Sequence, residues 1–375
     1  MNIWTDFPKI PLPQLLSFVV DNRGKTVPLS DNGNHVLIAT NCIRNENLYP
    51  TYEKIRRLSQ ETYDNWFRAH PIPGDILFVC KGTPGRVCMV PDPIDFCIAQ
   101  DMVALRADEA KVYNRYLLAV LRSRPIQEQI ANTSVGDVIP HFKKQFFDQL
   151  LIPLPPLEVQ RRIGDYYFAF SLKIEKNKEI NENLAQQAQA IYADIFITNA
   201  DPAWPLGHLS DLITVKYGKD HKKLDDGPFP VYGSGGVMRY VERPIYEKES
   251  VLIPRKGTLN NVMYVNEPFW SVDTMFFTEM KLPNVAKFVF HFVKSKDLAS
   301  LNAGSAVPSM TTDILNAMEL SIPDAETLKR FESIVGPMYR AMQHNSEESK
   351  KLAAVRDSLL PRLMSGELDV SGLAL

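Results

Sequence analysis

The raw material of catalysis is scarce in this chain. Among 375 residues there are seven histidines and four cysteines. The histidines are scattered. Cys42, Cys80, Cys88 and Cys97 form no Cys-x-x-Cys pair and have no histidine cluster beside them, which argues against a zinc site. Three of them lie in apolar, strand-like context and read as buried, reduced thiols. No Gly-x-x-x-x-Gly-Lys-Ser/Thr segment occurs. "RGKT" at Arg23–Thr26 has Val19 where the first glycine should stand, which excludes a phosphate-cradling loop for nucleotide hydrolysis. Also missing are an Asn-Pro-Pro-aromatic segment, a glycine-rich methyl-donor loop after a strand, an acid–acid–lysine nuclease cluster and a Ser–His–Asp context. We therefore expect no catalytic residue, no metal site and no cofactor in this chain.

Long apolar runs are missing too, so no membrane-spanning helix is expected. The start "MNIWTDFPKI" lacks the basic and apolar blocks of a secretory leader. The expectation is an intracellular, cytoplasmic protein. Excess positive charge is likewise absent. The net charge is −2, unlike a general polyanion binder. Any nucleic-acid contact must come from local basic loops, with part of the phosphate contact supplied by a partner.

What the chain does have is a repeat. "ILFVCKGTPGRVCMV" at Ile76–Val90 and "VLIPRKGTLNNVMYV" at Val251–Val265 share one build: an apolar strand, a tight polar turn with bulky cations, and a second apolar strand. Gly82 and Gly257 are 175 positions apart. Asp101 in "AQDMVAL" and Asp273 in "SVDTMFF" are 172 apart. Downstream the offset holds at 168, pairing Gly136 with Gly304, Pro140 with Pro308, Glu158 with Glu326, Arg162 with Arg330 and Asn177 with Asn345. An offset that drifts upstream and is constant downstream marks loop insertions in one part and a rigid element in the other. The chain is a tandem duplication: globular part, helix, globular part, helix.

The helices show a 3.5-residue period. Ile163, Tyr167, Phe170, Ile174, Asn177, Asn181, Leu184, Ala188, Ile191 and Ile195 step by fours and threes, as in a coiled-coil seam. The second copy runs Phe331, Val335, Met338, Met342, Asn345, Ser349, Leu352, Leu359 and Leu363. Both seams are polar at the centre, at Asn177 and Asn181 and at Asn345 and Ser349. In an antiparallel pair those polar centres meet. Each helix should be about 60 Å long at ~1.5 Å per residue. Gly164 interrupts the first pattern, and Gly336-Pro337 should bend or restart the second, because proline removes a helix hydrogen bond.

Residues 1–153 and 199–322 are mixed. "HVLIATN", "DILFVC" and "SVLIPR" read as strands. "EKIRRLSQETYDNWFRA", "VYNRYLLAVLRSRPIQEQIA" and "AKFVFHFVKSKDLASLNA" read as helices. The fold class is α+β: two similar α/β domains separated by two long helices that form an antiparallel coiled coil. The segments are 1–153, 154–198 (first helix), 199–322, 323–367 (second helix) and a tail at 368–375. Tyr232-Gly233-Ser234-Gly235-Gly236 is a glycine-rich turn able to bring backbone amides close to a partner.

These segments together resemble the specificity subunit of type I restriction–modification systems. The carriers are "PGDILFVCKGTPGRVCMV", "IAQDMVAL", "VIPHFKKQFFDQLLIPLPPLEVQRRI", "YGSGG", "SVLIPRKGTLNNVMYVNEPFWSVDTMFF" and "VPSMTTDILNAMELSIP", in this order and covering essentially the whole chain. One departure is the second junction, "SIPDAETLKRF", which lacks the Pro-Pro and Glu-x-Gln run of the first. The resemblance implies two target recognition domains, each reading one part of a split double-stranded DNA site. It implies that the coiled coil holds the halves apart and docks two methyltransferase subunits, and that motor-nuclease (restriction) subunits join for cleavage. It implies no catalytic activity here, with methyl donor and ATP bound by the partners.

On that basis the DNA-facing candidates are Lys81, Thr83, Arg86, His141 and Lys143 in the first half. In the second they are Tyr232, Ser234, Gly235, Arg255, Lys256, Asn260, Asn261 and Ser309. Cations can meet phosphates or guanine edges, and the Asn amide matches adenine. The alternative is a coiled-coil scaffold whose globular ends bind proteins and which has no DNA specificity.

Overall fold

A computed structural model describes residues 2–22, 24, 26–136, 139–301 and 309–368. Gly304, Pro308 and the tail from 369 onward lie outside the described residues. The chain divides into two units, Met1–Ile180 with His344–Leu375, and Asn181–Gln343.

In the first unit a four-stranded antiparallel sheet runs in the order Leu16–Val20, Met102–Ala107, Ile76–Val79, Val87–Met89. "DILFVC" is an unbroken apolar run because this sheet is covered on both faces. Ile76 and Phe78 pack with the helix Asn114–Arg122 and the long helices, whereas Leu77 and Val79 pack with Ile38, Phe96 and Ile98. A strand buried on one face only would alternate. The second cover is a three-stranded sheet, Arg56–Leu58, His35–Ile38, Phe96–Ile98, whose last pairing is parallel. A short pair, Lys9–Pro11 with Leu151–Pro153, closes the unit beside the first long helix.

The second unit repeats this plan strand for strand. Its four-stranded sheet runs Ile213–Tyr217, Met275–Met280, Ser250–Pro254, Met263–Val265. Its three-stranded sheet runs Gly236–Val241, Phe229–Gly233, Trp270–Ser271, again with a parallel last pairing. Leu206–His208 pairs with Glu319–Ser321. The helix Ala286–Lys294 stands where Asn114–Arg122 stands in the first unit.

Several sequence expectations are corrected. "EKIRRLSQETYDNWFRA" is the strand Arg56–Leu58 followed by the short helix Gln60–Asn65, which the Ser59 hydroxyl caps at Thr62 N. "VYNRYLLAVLRSRPIQEQIA" is two helices, Asn114–Arg122 and Arg124–Thr133. They break at Ser123, because the proline at 125 can occupy only a first helical turn. The third expected helix stops at Lys294. In register, Asp101 corresponds to Thr274 and not to Asp273, since Val79 pairs with Met102 as Pro254 pairs with Met275.

The long helices span Leu157–Ala193, extended by a π-helical turn at Asp194–Thr198, and Ala325–Ser365. The second runs unbroken through Pro337, contrary to the expected restart. Val335 and Gly336 before the proline are buried, and Met338 and Tyr339 after it pack on the same core, so tertiary contacts hold both sides of the missing hydrogen bond. Gly164 is a close approach: a Cβ there would lie 2.6 Å from Tyr116 N. Only glycine lets the helix lie this near the neighbouring helix.

Within the first unit the helices pair antiparallel. Ile163, Ile174 and Asn177 are buried and Phe170 is half-buried; Asn345, Ser349 and Leu352 across from them are half-buried. Arg356 occupies the seam step between Leu352 and Leu359. It is 6% exposed, with Nη1 3.3 Å from Ser171 Oγ and its guanidinium 5.3 Å over the Tyr167 ring. Within the second unit Asn181 Nδ2 donates to the Met342 carbonyl at 3.0 Å. There Leu184, Met338 and Met342 are half-buried, and Ala188 and Phe331 fully so. An ion pair ties each globular part to a long helix: Arg115 to Asp165 at 2.8 Å, and Lys287 to Glu332 at 2.8 Å. All four cysteines are buried.

Candidate nucleic-acid interface

The turn after Ile76–Val79 is held from two sides. Cys80 N and Lys81 N both donate to the Asp101 carbonyl, at 2.7 and 3.2 Å. On the other side the Cys80 carbonyl accepts from Phe142 N at 2.7 Å, and Gly82 N donates to the Pro140 carbonyl at 2.9 Å. This places Lys81 in an antiparallel bridge with His141. Phe142 is fully buried and packs on Phe78 with centroids 5.7 Å apart, so it pins the loop from beneath. Truncating such a ring costs about 3–5 kcal/mol. Gly82 has φ +87°, the left-handed region that glycine tolerates. Lys81 and Lys143 are exposed, and Thr83, Arg86 and His141 are half-exposed. The Lys81 ammonium lies 4.0 Å from the Asp101 carboxylate, a screened surface contact.

The second half is built the same way. Arg255 N and Lys256 N both donate to the Thr274 carbonyl, at 2.9 and 3.2 Å, and Met310 N donates to the Arg255 carbonyl at 2.9 Å. Lys256 is thereby bridged to Ser309 as Lys81 is to His141. Gly257 has φ +84°. A Cβ on it would meet Ser234 Oγ at 2.6 Å, so the glycine-rich turn packs directly on the cationic one. Asn261 Nδ2 adds a bond to the Ser234 carbonyl at 2.8 Å. Gly235 has open space on its Cβ side. Ser234, Lys256, Asn261 and Ser309 thus stand together with an open backbone beside them.

Two candidates are engaged otherwise. Asn260 donates to Asp297 Oδ1 at 2.9 Å and accepts from Ala299 N at 3.0 Å, so its amide staples a loop. That bond holds the Asp297 carboxyl below its ordinary range. Tyr232 donates its hydroxyl to Glu267 Oε1 at 2.8 Å with its ring against Phe269. Burial, and then the Glu267 bond, push its phenol pKa up.

One residue that the sequence reading passed over is Tyr217. Its ring is half exposed and lies 5.4 Å beneath the Arg255 guanidinium, whose Nη1 also donates to the Asp273 carbonyl at 3.3 Å. Stacking on an aromatic face fixes the guanidinium plane. The signal was available: Tyr217 ends an alternating strand, "ITVKY", on an exposed position.

The model of the family described as type I restriction modification DNA specificity domain matches residues 19–186 and again 203–352. The chain belongs to the type I restriction–modification DNA specificity family. Similar members include a type I restriction enzyme specificity subunit of Methanocaldococcus jannaschii, 20% identical over 305 residues, covering 70% of this chain and 71% of that one. A putative type I specificity subunit of Mycoplasma pneumoniae is 22% identical over 317 residues, covering 77% and 82%. The fold matches that of a type I restriction–modification S subunit from M. genitalium, with TM-score 0.62 and 18% identity over 96% of each chain. The two matched segments of this specificity-family chain are the two copies of the duplication. Among the described residues no helix is long and apolar enough to cross a membrane, and no group of three or more His, Cys, Asp or Glu could hold a metal ion.

Proposed function

We propose that this chain is the non-catalytic DNA-specificity subunit of a type I restriction–modification complex. Residues 1–153 and 199–322 act as target recognition domains, each reading one part of a bipartite double-stranded site. The helices within 154–198 and 323–367 dock two methyltransferase subunits, and restriction subunits join for cleavage. Methyl donor and ATP bind the partners.

One observation carries this reading. In both halves the same backbone scaffold presents a cation, Lys81 or Lys256, bridged to a polar residue, His141 or Ser309, from a distant loop. A fold that only had to close a hairpin would have no need of a bulky cation on the same bridge in both copies. Two cationic turns on one duplicated frame suit two half-sites, because each half-site needs its own reader.

The test is methylation-aware sequencing of cells carrying the chain with its methyltransferase, joined to salt-dependent binding of the deduced duplex. A split motif and sequence-specific, salt-sensitive binding are expected. The scaffold alternative predicts neither.

A further inference from the structure

Next to the Arg255 turn lies a loop that the readings above leave without a role, Gly218–Lys223. Its backbone is tied at several points. Gly218 N donates to the Met275 carbonyl at 3.0 Å and Lys219 N to the Ser271 carbonyl at 2.8 Å. The Trp270 indole donates to the Lys219 carbonyl at 2.9 Å. Asp220 is exposed, and its Oδ1 accepts from Lys222 N at 3.1 Å, a bond that closes the turn. Leu224 is buried at the end of the loop, and its carbonyl accepts from Arg239 Nη2 at 2.9 Å. Gly218 is needed for the approach, since a Cβ there would lie 2.0 Å from the Val272 carbonyl oxygen.

This rigid frame leaves Lys219, Lys222 and Lys223 exposed, and none of the three stands in an ion pair among the described residues. Of the neighbouring acids, Asp226 is paired with Arg239 at 2.8 Å and Asp225 lies beyond the buried Leu224. The short segment from Ser271 to Met275 connects the loop to the reading turn. It binds Gly218 and Lys219 through Met275 and Ser271, and Arg255 and Lys256 through Thr274. Tyr217, the residue before Gly218, lies under the Arg255 guanidinium. The lysine loop and the cationic turn are therefore neighbours on one end of one sheet.

We infer that Gly218–Lys223 is a phosphate-backbone clamp of the second half, with Lys219, Lys222 and Lys223 neutralising phosphates of the duplex that the Arg255 turn reads. The inference rests on the DNA-reading function proposed above. Lysine is a compact point charge without the planar fork that recognises a base edge, so it suits positioning on phosphates. A loop already ordered adds little entropic cost on binding.

The experiment uses the full chain with its methyltransferase subunits and a duplex carrying the site found by sequencing, from 50 to 200 mM salt. Each lost phosphate contact lowers the slope of log affinity against log salt by about 0.9. Lys219→Ala/Lys222→Ala/Lys223→Ala together should lower it by about 2.7. Across that fourfold rise in salt the wild type should then lose affinity about 40-fold more steeply than the variant. The methylated motif should stay unchanged. The triple Lys→Arg variant should keep the wild-type slope, and Lys222→Gln alone should lower it by about 0.9. If the wild type binds its site with salt dependence and the triple Ala variant has the same slope and affinity, the clamp is overturned while the DNA-reading function stands. A changed motif with an unchanged slope also overturns it. If the wild type shows no salt-dependent DNA binding, both readings fall.

Discussion

Asn177 Nδ2 lies 3.3 Å from the main-chain carbonyl oxygen of Asn345, the residue 168 positions further along and its mate in the sequence repeat. In an antiparallel pair built from two copies of one helix, a residue meets its own mate only where the pairing is centred. The contact therefore marks the centre of the seam. Asn177 also donates to Glu348 Oε2 at 2.7 Å and to Ser349 Oγ at 3.2 Å. With the Lys173 ammonium at 3.3 Å, these bonds hold the Glu348 carboxyl below its ordinary range, the Asn177 bond contributing most. Asn345 takes part through its backbone carbonyl, so it is Ser349 and Glu348 whose side chains face the buried amide.

Asn177 Oδ1 is buried without a partner among the described residues, a defect that costs about 1–3 kcal/mol. Asn177→Leu removes it, and Glu348 keeps Lys173 and its solvent. The expected outcome in denaturant melts is a gain of about 1 kcal/mol, with register less firmly specified. A loss of more than about 1 kcal/mol would show that the bonds donated by the amide's two hydrogens outweigh the orphaned oxygen.

The duplication and the two helices were legible because they rest on patterns that survive divergence: a constant offset and a 3.5-residue period. Boundaries and register were less so. Pro337 breaks a helix by local rules, and only the packing of Val335 and Tyr339 on one core overrides them. Pairing Asp101 with Asp273 followed residue identity. The structure equates Asp101 with Thr274, because the shared job is a backbone carbonyl that any residue supplies. Asn260 looked like an adenine reader, and its anchor Asp297 lies 37 positions away, beyond any local pattern. The Lys81–His141 and Lys256–Ser309 bridges join segments about one-sixth of the chain apart, and sequence placed both partners on the candidate roll without joining them.

Lys287 is nearly sealed, its side chain 6% exposed, between Glu332 at 2.8 Å, Glu249 at 3.7 Å and the rings of Tyr264 and Tyr339. Lys287→Met leaves those two carboxylates facing each other's charge without a cation. It should cost about 3 kcal/mol, since removing one partner of a buried pair leaves the other uncompensated. Lys287→Met with Glu332→Leu should recover more than half of that in the same melts. A single variant within about 0.5 kcal/mol of wild type would show that the pair is solvated in solution.

His291 sits between Gln189 Oε1, 2.8 Å from Nδ1, and the Tyr339 hydroxyl, 3.0 Å from Nε2, with the Tyr192 ring stacked at 5.2 Å. Burial, and then the Lys294 charge, push its pKa down from 6.5 to about 4. The unfolded imidazole takes up a proton as pH falls through 6.5, whereas the folded one stays neutral to about 4. Unfolding therefore binds a proton in that window, and stability falls with falling pH. Between pH 8 and pH 5 this group should remove about 2 kcal/mol from Asn181–Gln343. His291→Gln should flatten that part of the stability-against-pH curve. An identical curve for the variant would place the pH dependence elsewhere.

Arg255 and Lys256 are adjacent on one turn, yet their surroundings differ. Arg255 is half-buried, with its guanidinium fixed over Tyr217 and tied to the Asp273 carbonyl. Lys256 is exposed; its backbone N–H donates to the Thr274 carbonyl, and Ser309 lies opposite it in the bridge. A fixed planar fork suits a guanine edge, whereas a mobile ammonium suits a phosphate. Arg255→Ala should relax preference at one base pair of the second half-site by about 1–3 kcal/mol and leave the first half-site alone. Arg255→Lys should fail to restore it, because charge without the fork cannot make a bidentate contact. Tyr217→Ala should weaken the same position less, and Tyr217→Phe should not, since the ring face is what the guanidinium uses. Lys256→Ala should lower the salt slope by about 0.9 and change no base preference. Competition binding against a panel of duplexes, each altered at one position, separates these outcomes. Recovery of the wild-type motif by Arg255→Lys would move Arg255 onto the phosphates. A change of motif by Lys256→Ala would move Lys256 onto the bases.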